Sequence, residues 1–223
     1  MMTGSYTQRI ADSLLPLSVE RTLPNAFEEW SFTGEVDDHE QATETCELCT
    51  KEDLRYQFRI RNALTGHALW VGSNCILRFG ISVFENGIAL EPRDAKKKLE
   101  RLTKQMRLDS CIKALGQLAA TEENSILTGA LDYYKRHGVL TPKFAFVVFW
   151  KLSDHRIDHH RSFFKVCLRK ESHRQALKDM PTERVHKFWA ALSSSQQKLA
   201  KDMGHRAPPP VLKLSSLAKR TAS

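Results

Sequence analysis

No run in this 223-residue sequence is apolar for long enough to cross a bilayer. The longest, Phe144 to Trp150, falls far short of the roughly 20 residues that a spanning helix needs. The stretch MMTGSYTQRIADSLLPLS lacks the basic segment and apolar core of a secretory signal, so no export is expected and the expected location is the cytoplasm. Cysteine is scarce and odd in number, at five, which argues against a disulfide framework and for reduced thiols that serve a metal. Gly-x-Ser-x-Gly, the Walker loop and Gly-x-Gly-x-x-Gly are all missing, which removes the motif-borne hydrolase, nucleotide and dinucleotide readings. A cytidine-type deaminase needs His/Cys-x-Glu well upstream of Pro-Cys-x-x-Cys; here His39 adjoins Glu40 directly, and Cys46 follows Thr45. No internal repeat is visible.

What is present is a soluble, globular composition, 41% hydrophobic and 27% charged, in a chain long enough for one sizeable core or two small domains. The net charge of +8 is unevenly spread. Residues 1–50 hold two Lys/Arg against ten Asp/Glu, residues 51–92 five against four, and residues 93–223 twenty-seven against twelve. An acidic entry therefore precedes a basic body able to meet a polyanion.

Chemistry concentrates in residues 43–79. Cys46 and Cys49 form a C-x2-C pair. A run follows in which Leu54, Tyr56, Phe58 and Ile60 alternate with Arg55, Gln57, Arg59 and Arg61, the period of a half-buried strand with an arginine-rich outer face. Asn62 to Gly66 supplies a turn, His67 to Val71 a return strand, and Cys75 comes after Gly72-Ser73-Asn74. A strand leaving Cys49 and one coming back place Cys75 beside the pair, whereas His67 is left at the far turn, on the order of 20 Å away. Three thiolates with this spacing suit a structural metal, zinc by ligand type. The reading in which all three are ordinary buried thiols stands beside it. A treble-clef arrangement would place a further ligand at position 78, which is Arg78 and cannot ligate. His39 is the best remaining nitrogen, with Asp37 and Asp38 as oxygen alternatives. The other acidic residues between Glu35 and Glu47 read as a solvated loop.

The pattern ETCELC, LRYQFRIRN and LWVGSNCILRFGI resembles an uncharacterised family of zinc-ribbon-like proteins encoded on bacterial plasmids, phages and integrative elements. The likeness is sharpest over residues 30–80, with LTPKFAFVVFW as a looser continuation. It implies Cys46, Cys49 and Cys75 as zinc ligands and a mobile-element setting, and it implies no reaction.

Beyond Cys75, Ile76 to Phe79 reads as a short helix halted by Gly80, followed by a turn at Asn86-Gly87. With Asp94 as N-cap, apolar residues from Leu99 to Leu118 recur at helical spacing. The outer side of that helix carries Lys96, Lys97, Lys98, Arg101, Lys104 and Arg107, a run that can track phosphates or simply be a solvated face. A helix from Ser125 to His137 stops at Gly138, and Thr141-Pro142 opens an all-round apolar helix whose aromatics read as core. His155 and His159 have the i, i+4 spacing of zinc hydrolases, but no glutamate adjoins and Asp154 and Asp158 favour a loop. Phe163 to Leu168 reads as a strand. Helices follow around Ala176, from Thr182 to Leu192 and from Ser194 to Met203, and Pro208-Pro209-Pro210 ends the folded part.

The expected fold is α+β: a flexible segment 1–25, a small zinc-bearing β-hairpin module of knuckle or treble-clef type at 26–92, a basic, mostly α-helical body at 93–204, and a flexible basic tail at 205–223. The expected function is non-enzymatic: a zinc-binding protein whose metal ligands are Cys46, Cys49, Cys75 and His39. Nucleic acid is the expected partner, bound through Arg55, Arg59, Arg61, Lys96, Lys97, Arg101 and Lys104. The alternatives are a protein-interaction adaptor that holds a host or element protein, and a metal-dependent hydrolase built on the histidines at 155–160. No membrane partner is expected, and the oligomeric state is not legible.

Overall fold

The computed structural model describes residues 6–209, which fall into two compact units that meet in sequence between Ser110 and Cys111. The first begins with helix α1 (Tyr6–Leu14), a 3-10 turn at Leu15–Leu17 and helix α2 (Leu23–Glu28). Three antiparallel strands follow in the order β1 (Trp30–Asp38), β2 (Tyr56–Asn62), β3 (Ala68–Val71). Helix α3 (Ser73–Arg78) comes next, and then a small hairpin of β4 (Phe84–Glu85) and β5 (Ile88–Ala89). Asn86 and Gly87, with φ of 52° and 80°, make the tight turn of that hairpin, the left-handed pair that Asn-Gly adopts readily. Helix α4 (Pro92–Thr121) carries the chain through the unit boundary.

The hairpin forms as the alternation requires. Phe58 pairs with Val71 and Ile60 with Leu69, all buried on the inner face. Asn62 closes the turn: its Oδ1 accepts from the amides of Leu64 and Thr65 at 2.8 and 2.9 Å, and Gly66 takes a φ of 77°. One expectation for this strand changes. Gln57 is buried on the supposed outer face, because its amide bonds Thr45 O and its Oε1 meets His39. The short strand expected to open at Trp30-Ser31-Phe32 is the sheet's third member, β1, which pairs Trp30 with Asn62 and Asp38 with Tyr56 around an irregularity between Phe32 and Val36.

Residues 6–25 belong to the segment expected to be flexible apart from a short helix through Ile10, Leu14 and Leu15, and they form α1, the 3-10 turn and the start of α2. Ile10 and Leu14 are 1% and 0% exposed in the core of the first unit, so the apolar face of α1 has a site to fill. A polar staple adds to this: Glu29 accepts from the amides of Val19 and Glu20 and from Asn62 Nδ2, and Trp30 Nε1 donates to Ser18 Oγ. Asp94 sits within the first turn of α4, which begins at Pro92, rather than at its cap.

The second unit is helical. Its helices are α5 (Ser125–His137), α6 (Pro142–Asp154), α7 (Glu171–Lys178), α8 (Thr182–Phe188) and α9 (Ser194–Asp202). Asn124, Thr141 and Ser193 cap α5, α6 and α9 through side-chain oxygens, and Gly138 ends α5 in the left-handed conformation. Phe163 to Leu168 is not a strand. Phe163, Phe164, Val166 and Leu168 are buried as expected, but the backbone finds only a single bridge, Leu140 to Val166. The unit boundary lies within α4, after Ser110. His205, the first residue of the expected tail, is buried, with Nε2 against Leu177 O at 2.9 Å and Nδ1 against Thr182 Oγ1 at 3.1 Å. Residues 210–223 of that tail lie outside the described residues.

Asp38 ties β1 to α4. Arg55 binds it with Nε and Nη2 at 2.8 and 3.0 Å, Ser110 Oγ donates at 2.6 Å and the Glu40 amide at 3.0 Å. Burial disfavours its charge, yet these donors outweigh burial and hold the carboxyl below its ordinary 3.8. Its stabilisation is therefore complete above that value and is lost as pH falls through the lowered one. Asp38→Asn is expected to cost about 1–3 kcal/mol at pH 7. The gap from wild type should close as pH drops below 3.8, as followed by urea denaturation. A gap that stays constant from pH 7 to pH 2.5 would contradict this.

Candidate metal centre

Cys46 and Cys49 sit on a tight turn that the chain stabilises locally. The Thr50 amide donates to Cys46 O at 2.8 Å, the Cys46 amide donates to Lys51 O at 2.9 Å, and Thr50 takes a φ of 57°. Glu44 and Leu54 close the base of the turn with a reciprocal pair of backbone hydrogen bonds. Glu47 fastens it to β3: its amide donates to Trp70 O at 3.0 Å and its Oε2 accepts from the Trp70 amide. Strand β3 then exits past the turn through Gly72 and delivers Cys75 on α3.

The three sulfurs lie within 4.8 Å of one another, and Cys46 Sγ is 3.7 Å from Cys75 Sγ. All three side chains are buried, at 1%, 7% and 4% exposure. A hydrogen bond from Cys75 lowers the Cys46 thiol to about 5, with help against burial from the amides of Gly72, Cys49 and Leu48. Cys75 moves the opposite way: it shares its proton with Cys46, and burial and the neighbouring thiolate charge push it well above the usual thiol range. A pair poised to hold one proton between two sulfurs is the arrangement a cation converts into two thiolates. Three buried thiols this close can hold a metal ion.

Among the described residues no fourth Cys, His, Asp or Glu joins the group. His39, the expected fourth ligand, stands apart: its Nε2 meets Gln57 Oε1 at 3.0 Å, and Asp37 and Glu44 lie 3.8 and 3.9 Å from the ring nitrogens. Asp38 is occupied by Arg55 and Ser110. The centre opens instead on a cleft of about 890 Å³ within the first unit. Tyr6, Arg9, Lys51, Arg55, Tyr56 and Arg78 line that cleft together with the cysteines. The Tyr6 hydroxyl hydrogen-bonds Cys75, and Arg78 lies 4.4 Å over the Tyr6 ring. Nothing in the sequence spacing of Tyr6 and Arg9 connects α1 to Cys75, whereas Arg78 stands one helical turn after it on α3.

The expected nucleic-acid-binding residues are distributed differently from a free cationic face. Arg55 pairs with Asp38, Arg59 with Glu35 at 2.7 Å, Lys97 with Asp94 at 2.8 Å and Arg101 with Glu85 at 2.7 Å; Lys96 lies 3.9 Å from Glu100. Arg61 and Lys104 are exposed and make no ion pair among the described residues. The histidine cluster is loop beyond the end of α6: His159 Nδ1 meets Ile157 O, His160 Nδ1 meets Ser162, and His155 lies 3.2 Å from Glu122. Glu122 also binds the buried Lys151 at 2.6 Å, so this group is an ion-pair network of the second unit. No helix among the described residues is long and apolar enough to cross a membrane.

Comparison with protein-family models, with curated proteins and with solved structures gave no match.

Metal content follows from this geometry. Cys75→Ser is expected to lower bound metal at least tenfold in plasma-emission analysis, because one of three donors is lost. His39→Ala and the double change His155→Ala/His159→Ala should leave the stoichiometry unchanged; metal lost on either would contradict the assignment.

Proposed function

We propose that the protein is a non-enzymatic, zinc-dependent nucleic-acid-binding protein, in the mobile-element setting that the sequence resemblance implies. The observation that carries the zinc reading is the 3.7 Å separation of Cys46 and Cys75 sulfurs. Zinc–sulfur bonds near 2.3 Å at tetrahedral angles require roughly 3.8 Å between sulfurs. Thiolate donors favour zinc among the common divalent ions. In this reading the metal is structural: it joins the knuckle turn, the hairpin and α3, and no catalytic step is assigned to it.

The charge distribution supports the nucleic-acid reading. Residues 111–223 hold twenty Lys/Arg against nine Asp/Glu. Arg61 and Lys104 add unneutralised charge in the first unit, and the exposed pairs at Arg59, Lys97 and Arg101 are of the kind that phosphate displaces at small cost.

A second reading, a protein-interaction adaptor, is favoured by one feature of the first unit. Phe84 and Ile88 on the β4–β5 hairpin are 43% and 71% exposed, an apolar tip that phosphate contacts do not explain.

Electrophoretic shift with mixed-sequence single- and double-stranded DNA and RNA separates the two. Binding at low salt should weaken steeply as salt rises, and Arg61→Glu with Lys104→Glu should lower affinity about tenfold and flatten the salt slope by roughly two contacts. No shift on any of the four nucleic acids at low salt would remove this reading. Protein partners retained through nuclease and high salt by wild type, and lost by Phe84→Ser/Ile88→Ser, would install the adaptor.

A further inference from the structure

We propose that the metal centre is open: three protein thiolates hold the ion, and its remaining position takes a small anion from solution, drawn in by the cationic cleft. The proposal rests on the metal reading above and goes beyond a purely structural role.

Ligand supply is the first ground. Structural zinc sites are closed by four protein donors, and three donors leave a place for an exchangeable group. The described residues bring only Cys46, Cys49 and Cys75 together. The segments outside them, MMTGS and PVLKLSSLAKRTAS, contain no Cys, His, Asp or Glu. No residue of those types in this sequence is therefore left to close the site.

The surroundings supply the second ground. A closed structural site is sealed by packed chain, but Cys46, Cys49 and Cys75 are among the residues that line a cleft of about 890 Å³. That is within the range of small-molecule sites, and far more than one water requires. Its charged lining is Arg9, Lys51, Arg55 and Arg78 against the single carboxylate Asp53. Asp38 engages Arg55, and among the other charged lining residues the cations Arg9, Lys51 and Arg78 outnumber Asp53. Guanidinium groups bind oxyanions through charge-assisted hydrogen bonds, and a thiolate or oxyanion is also what a divalent ion accepts. The Tyr6 hydroxyl, bonded to Cys75, stands at the cleft wall.

Cobalt reports coordination directly. The full-length protein, stripped of metal and loaded with Co2+, is expected to show sulfur-to-cobalt charge transfer. Inorganic phosphate and 2-mercaptoethanol are then titrated separately. Saturable change in the visible ligand-field bands with either one supports the open site, and phosphate alone or thiol alone identifies the anion class. With the thiol, charge-transfer intensity should rise by about one third as three sulfurs become four. Arg9→Ala and Lys51→Ala, both at exposed side chains, should raise the half-saturating phosphate concentration at least fivefold and leave the anion-free spectrum unchanged. Bands that respond to neither anion overturn the proposal while the metal reading stands. Bands that shift on Tyr6→Phe but not with anions assign the fourth position to the phenol, and also overturn it. Absence of any charge-transfer band removes the metal reading itself, and this proposal with it.

Discussion

Three thiols from two separated stretches of chain meet in the interior of the first unit, and the arrangement of that unit follows from their meeting. Neutral thiols gain little from such closeness, and thiolates without a cation would repel strongly in a buried, weakly screening environment. A shared metal ion would turn that repulsion into attraction. The knuckle turn, held by Thr50 and Lys51, and the hairpin that returns Cys75 would then be two halves of one clamp. Glu47 joins the turn to strand β3 through Trp70.

Around this clamp the polar groups are committed to structure. Asp38 and Glu29 hold Arg55 and Asn62 respectively and fix the ends of β1. Burial opposes ionisation of both carboxyls, and both remain charged because several donors converge on each. The same economy governs the cations. Arg55, Arg59, Lys97 and Arg101 face carboxylates within 2.7 to 2.8 Å, so the surface field of the first unit is weaker than its arginine and lysine count suggests. In the second unit carboxylates are too few to do this, and positive charge prevails.

Much of the local structure was legible. The hairpin was visible because apolar side chains alternate from Tyr56 to Ile60 and a turn with glycine follows. Helices α5 and α6 were visible because Gly138, Thr141 and Pro142 mark an end and a beginning. The C-x2-C pair and the later cysteine announced a candidate metal site, and the three do converge. Other features were hidden for identifiable reasons. The order of α1 depends on a pocket for Ile10 and Leu14 built by residues far along the chain. The burial of Gln57 depends on Thr45 and His39 reaching across the sheet. Phe163 to Leu168 has strand composition but no adjacent strand, and a strand exists only by pairing.

By itself the sequence determined periodicity, punctuation and inventory: which segments coil or extend, where they stop, how many thiols exist and where charge accumulates. These are properties of near neighbours and of composition, fixed by backbone sterics and side-chain type. Tertiary structure alone decided which carboxylate meets which cation, that His39 turns to Gln57 rather than to the sulfurs, and that Tyr6, Arg9 and Arg78 share a cleft with Cys75. Those outcomes depend on distances between residues remote in sequence, which local spacing does not encode.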